Sequence, residues 1–123
     1  MATYESKLCI TVEAGADLSA DQFKFVQVAS DEQVDVVSSA GGDAIGVLQN
    51  DPAAAGRAAA VCYAGVTKVI AGATVAAGAK VQSDASGLAI TAATGDAVLG
   101  VALKGGAANE VIEVLLVSKH ILA

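Results

Sequence analysis

Apolar and polar residues alternate from the start of the chain. Leu8, Ile10 and Val12 interleave with Lys7, Cys9 and Thr11. A period of two puts one set on each face of a pleated strand, so this run predicts a half-buried strand. The run KFVQVA predicts the next, with Phe23 and Phe25 at its start, and short apolar runs follow at 34–37, 44–49, 58–64 and 66–71. Others occupy 79–82, 88–91, 97–103 and 111–117. Turn-forming clusters separate most of them: SSAGGD, NDPAAAGR, SDASG, ATGD and KGGAANE. Short strands at close spacing predict an all-β barrel or sandwich. One stretch departs from the pattern. In DLSADQF, residues 17–23, Ser19 precedes Gln22 by three positions. That spacing fits a capping box and predicts one short helical turn, with a polar loop as the alternative.

The strand pattern repeats. Ser30-Asp31 recurs as Ser83-Asp84, Gly42-Asp43 as Gly95-Asp96 and Val61 as Val114, each 53 apart, and Gly46 recurs as Gly100 one position later. A one-residue shift turns every following side chain to the other face unless a bulge absorbs it. The loop NDPAAAGR is one residue longer than its counterpart KGGAANE, which restores the spacing. The fold expected is therefore a small barrel or sandwich built from two tandem β units, about 28–61 and 81–114. Residues 1–16 form an N-terminal arm or strand outside the units, and 17–123 form a single β domain containing both.

Composition narrows the function. Thirteen acids face seven cations in 123 residues, and nine of the acids, Glu5 to Asp51, precede residue 52. No two cations are adjacent, so nucleic acid is not an expected partner. The apolar half of the chain is mostly Ala and Val, with four aromatics: Tyr4, Phe23, Phe25 and Tyr63. Small side chains bury little area each, at roughly 25 cal/mol per Å², so association with further subunits is favoured. Residues 58–79 have the length of a membrane span, but Lys68 lies mid-way and three glycines and a β-branched run favour strands. The N-terminus has neither a basic region nor an apolar core of the kind that directs export. Cys9 and Cys62 show no metal or redox spacing; free buried thiols are expected, with a disulfide between them left open.

Candidate chemistry is sparse. The segment GATVAAGAKV lacks the spacing and hydroxyl of a phosphate loop. His120 is the single histidine, near the C-terminus, and Asp43 and Asp96 sit in equivalent turns where Asp serves the backbone. Asp31, Glu32 and Asp35 lack the Gly and oxygen ligands of a calcium loop, and one His with two distant Cys cannot build a zinc site. No enzyme activity, cofactor, metal, small-molecule substrate or membrane partner is expected. The segment GATVAAGAKVQSD also looks like part of a lipoyl or biotinyl carrier, which needs a lysine at the following hairpin. That hairpin reads Ser83-Asp84-Ala85-Ser86-Gly87, so this alternative is a non-catalytic binding module.

The order and spacing of DLSADQFKFVQV, AIGVLQNDPAAAGRAAAVCYAGVTKVIAG, GATVAAGAKVQSDASGLA and GVAL followed by VIEVLLV resemble the small capsid cement, or decoration, proteins of tailed bacteriophages. Two turns depart from that pattern: Glu32-Gln33 and Asn109-Glu110 stand where glycine is frequent. The resemblance implies a structural virion protein, made in the host bacterial cytoplasm. It would attach as a homotrimer to the outer surface of the mature head and stabilise contacts between major capsid protein subunits. The family supplies no site to transfer. The expected capsid contact is the N-terminal strand, through Tyr4, Lys7, Leu8, Ile10 and Val12, by strand addition; completion of the protein's own barrel is the alternative use of that strand.

Overall fold

The computed structural model describes residues 7–122. It contains β1 (Lys7–Ala14), β2 (Phe25–Ser30), β3 (Gln33–Val36), β4 (Gly46–Leu48), β5 (Ala58–Ile70), β6 (Lys80–Ser83), β7 (Ala89–Thr91), β8 (Ala97–Lys104) and β9 (Val111–Ile121). The strands hydrogen-bond in the order β1-β3-β2-β4-β5-β9-β8-β6-β7, and β1 also pairs with β5. All-β architecture is thus as expected. No helical turn forms at 17–23: Asp17 Oδ1 accepts from Ser19 N at 3.0 Å, and Gln22 reaches the carbonyl of Gln49 instead of capping. The Ser19 hydroxyl and N–H hold the Asp17 carboxyl below the usual carboxylate range.

The pairing register exposes two rings. Glu13 and Ala14 run parallel to Gln33 and Val34, while β1 lies antiparallel to the first half of β5. This closes β1, β3, β2, β4 and β5 on themselves. The second half of β5 stands to β9 as β1 stands to β5: Ile70 faces Val111 where Glu13 faces Ala58, and Thr67 faces Val114 where Ile10 faces Val61. A parallel bridge from Ala71 to Ala89 closes β5, β7, β6, β8 and β9, matching Ala14 against Val34. β5 is therefore the last strand of the first ring and the first strand of the second.

The same register corrects the repeat boundaries. Each unit begins one strand earlier than the glycine phrases suggest, so β1 belongs to the first unit and is not an arm outside it. Val26 pairs with Gly46 as Val81 pairs with Gly100. The equivalent of Val81 is then Val26, and the Ser-Asp match is two residues out of register. Ser and Asp suit any turn, whereas the inward valines fix the sheet. The glycine match is in register and has a steric cause. A Cβ on Gly46 would run into the carbonyl of Cys62, and one on Gly100 into that of Leu115.

Each ring holds a small core. Ala14, Leu18, Val26, Val34, Leu48, Ala59 and Val61 fill the first. Their register equivalents Ala71, Val75, Val81, Ala89, Ala102, Ile112 and Val114 are buried in the second. Leu48 is matched by Ala102 and Ala59 by Ile112, so a large and a small residue exchange places and the filling stays similar. Phe25, Val37, Ala44 and Val47 point out of the first ring and join Leu99 and Leu116 in the second cluster, packing ring on ring. β4 is buried on both faces for that reason, which is why Gly46, Val47 and Leu48 show no alternation. The buried polar side chains are satisfied: Thr67 Oγ1 accepts from Gln49 at 2.8 Å, and Gln82 Oε1 accepts from Ala93 N at 2.7 Å.

The cysteines are not free. Cys9 and Cys62 are register partners, 3.9 Å apart at Cα, and form a disulfide between β1 and β5. Sequence spacing conceals this pairing because only the β1–β5 register brings the two residues together.

Candidate interaction surfaces

Three surfaces stand out. The first is the N-terminal strand. Lys7 opens β1 opposite Gly65, Leu8 and Ile10 are 58% and 42% exposed, and Val12 packs against the first core. Tyr4 lies outside the described residues. Between residues 8 and 12, β1 pairs with β5 alone among the described strands, and β3 takes its other edge only at Glu13 and Ala14. A row of backbone groups is thus left at that edge.

The second is a cleft of about 310 Å³ where the rings meet, lined by Phe25, Tyr63, Leu99, Leu116 and Lys119 among others. The Lys119 ammonium is ion-paired with Asp43 and lies 3.4 Å from the Ala44 carbonyl. Asp96, the other turn aspartate, packs on Gly41, where an added Cβ would meet its carboxyl group. The two aspartates therefore serve separate contacts. Among the described residues, no group of three or more His, Cys, Asp or Glu side chains could hold a metal ion.

The third is the outer face of the second ring, which sequence reasoning missed. Val66, Leu115, Val101 and Lys80 form one row across β5, β9, β8 and β6. Lys68, Glu113 and Lys104 form the next, and Ile70 with Val111 a third. Residues directly opposite on neighbouring strands share a face. The alternate residues Thr67, Val69, Ile112 and Val114 are fully buried, so this set faces solvent. The signal in the sequence is the alternation of Val66, Lys68 and Ile70 with Thr67 and Val69, two apolar-bearing sets that only the fold can rank.

The β6–β7 hairpin is docked, not free. Phe25 N donates to the Gly87 carbonyl and Gly41 N to that of Ser83, each at 2.8 Å. A swinging arm needs a lysine on a turn that stands clear of the domain; here both flanks are docked and the exposed tip residues are Ala85 and Ser86, so the geometry is unlike a carrier's.

A family model described as phage cement protein matches residues 2–117. The chain belongs to the phage cement protein family. A structural protein of the phage virion follows from that membership. The fold is also similar to a solved structure, the N base of head fiber gp8.5 in bacteriophage phi29. The TM-score is 0.70 at 15% identity, over 91% of this chain and 95% of that one. At that identity the likeness concerns the fold. No curated protein sequence matches the chain. The family is structural, which speaks against an enzyme.

Proposed function

We propose that this cement protein binds the outer surface of the mature phage head as a homotrimer and stabilises contacts between major capsid protein subunits. The observation that carries the reading is the family match along nearly the whole chain, from residue 2 to residue 117. The geometry supplies a means. The edge of β1 at residues 8–12, flanked by exposed Leu8 and Ile10, offers backbone groups to a strand of the capsid protein, and strand addition gives affinity through main-chain hydrogen bonds. Tyr4, Lys7, Leu8, Ile10 and Val12 are accordingly the proposed contacts.

The test is co-sedimentation with expanded heads that lack the protein, scored as copies bound per head. Saturable binding near one trimer per three-fold position, with better survival of the heads on heating, is the expected result. No binding to any expanded head of its own phage would remove the reading. Deleting residues 1–6 leaves β1 in place and tests the residues before it: unchanged occupancy would show that Tyr4 contributes nothing.

A further inference from the structure

The two rings share a backbone plan, yet their equivalent outer faces differ in chemistry. On the second ring the positions are Val66, Lys68, Ile70, Val111, Glu113 and Leu115; the same register positions on the first are Cys9, Thr11, Glu13, Ala58, Ala60 and Cys62. With Lys80 and Lys104 in its rows the second-ring face is bulky, apolar and basic, whereas the first-ring positions are small, with Glu13 their one acid and Cys62 fully buried. Lys68, Lys80 and Lys104 are all exposed, and among the described residues none of them is in an ion pair. Glu113 is the single acid in the rows they occupy. This basic face belongs to a chain of net charge −6. On the first ring, Glu13 and Glu32 border a groove of about 280 Å³ with Val12, Gly56 and Ala58. The backbone of Glu13 donates to the Glu32 carbonyl at 2.9 Å, which sets the two residues side by side.

We propose that the outer face of the second ring docks on the acidic face of the first ring in another copy of this chain. Lys68 and Lys104 would lie against Glu13 and Glu32, and the Val66–Leu115 row against the small residues Gly56, Ala58 and Ala60. A lysine can lay its apolar stem in such a groove while its ammonium stays at the carboxylates. Complementary charge fixes the partner and the register. Because the two faces are different patches, the contact is heterologous and repeats head to tail, closing into a ring when the rotation allows. The assignment deepens the homotrimer of the proposed function and rests on that part of it.

Sedimentation velocity on the purified full chain tests it, with head binding measured in parallel. The wild type should associate, and less tightly as salt is raised. Lys68→Glu with Lys104→Glu, and separately Glu13→Lys with Glu32→Lys, should each weaken association at least tenfold, with circular dichroism unchanged. The chain carrying all four substitutions should recover wild-type association, which a folding defect could not produce. Charge-reversed variants that associate like the wild type, or a combined variant that stays dissociated, would overturn the docking. So would lysine variants that keep their assembly but lose head binding, which would hand this face to the capsid. A wild type that is monomeric but binds heads would reject the trimer and this contact together while leaving the cement reading intact.

Discussion

Two turn residues show how the duplicated rings tolerate different side chains at one backbone position. Glu32 and Gly87 are equivalents, and so are Gly56 and Asn109; all four have positive φ, at 56°, 78°, 87° and 70°. The two departures from the family pattern therefore keep the turn geometry that glycine would give. Their partners explain which copy can accept a side chain. A Cβ at Gly87 would collide with Val36 and the Phe25 carbonyl, because that turn docks on the first ring. Glu32 is exposed and meets no such wall. What remains at Glu32 is the left-handed backbone itself, which costs an ordinary residue roughly 1–2 kcal/mol relative to glycine. Part of that is returned through the freer unfolded chain. Glu32→Gly should then stabilise the protein by about 1 kcal/mol, read as a raised urea midpoint at unchanged slope. Asn109→Gly should gain less, since Asn adopts this conformation more readily. A loss of stability in Glu32→Gly would show that the carboxylate contributes more than the backbone strain removes.

At the scale of elements, the disulfide takes the place that an apolar pair takes elsewhere. Cys9 and Cys62 occupy in β1 and β5 the register positions of Val66 and Leu115 in β5 and β9. The first ring thus ties its leading strand covalently where the second uses side-chain packing. The bond spans 53 residues of sequence. Closing a loop of that length removes about 4 kcal/mol of unfolded-state entropy on the chain-entropy model. Replacing both cysteines by Ala should lower stability by roughly 2–4 kcal/mol, and added reductant should destabilise the wild type but leave the variant unmoved. Equal midpoints with and without reductant in the wild type would show that β1 is held by its hydrogen bonds and by the packing of Val12 and Ala14. The same elements show what could be read in advance. Gly46 and Gly100 were legible because a close approach to a carbonyl admits one residue type, and it recurs. The leading strand of each unit was not. The leading strands share only the short echo VEAGA at 12–16 and VIAGA at 69–73, offset by 57 and so out of step with the 53-residue spacing of the other matches, and β5 serves both rings in one unbroken run. The outer basic face was hidden for a similar reason: Lys68, Lys80 and Lys104 stand far apart in sequence and meet only through the β5-β9-β8-β6 register.

For the whole molecule, sharing β5 makes the rings mechanically one object. Val61 and Cys62 close the first ring, Thr67 and Val69 open the second, and Gly65, at φ 91°, lies between them with Lys7 on one side and Leu116 on the other. Phe25 and Val47 of the first ring share a cluster with Leu99 and Leu116 of the second. Loss of either ring would expose that cluster and strip β5 of half its partners, so neither ring has a stable state of its own to retreat to. A defect in one should therefore be felt in both. Ile112 is fully buried in the second ring, and Ile112→Ala should cost about 3 kcal/mol, in the middle of the range for such truncations. If the molecule opens as a unit, amide exchange should accelerate by roughly a hundredfold, the factor that 3 kcal/mol implies, at the most protected positions of both rings. Val26 and Val61 of the first ring would then speed up as much as Val81 and Val114 of the second. Acceleration confined to the second ring would mean that the rings open separately, and that β5 joins two independent barrels instead of building one.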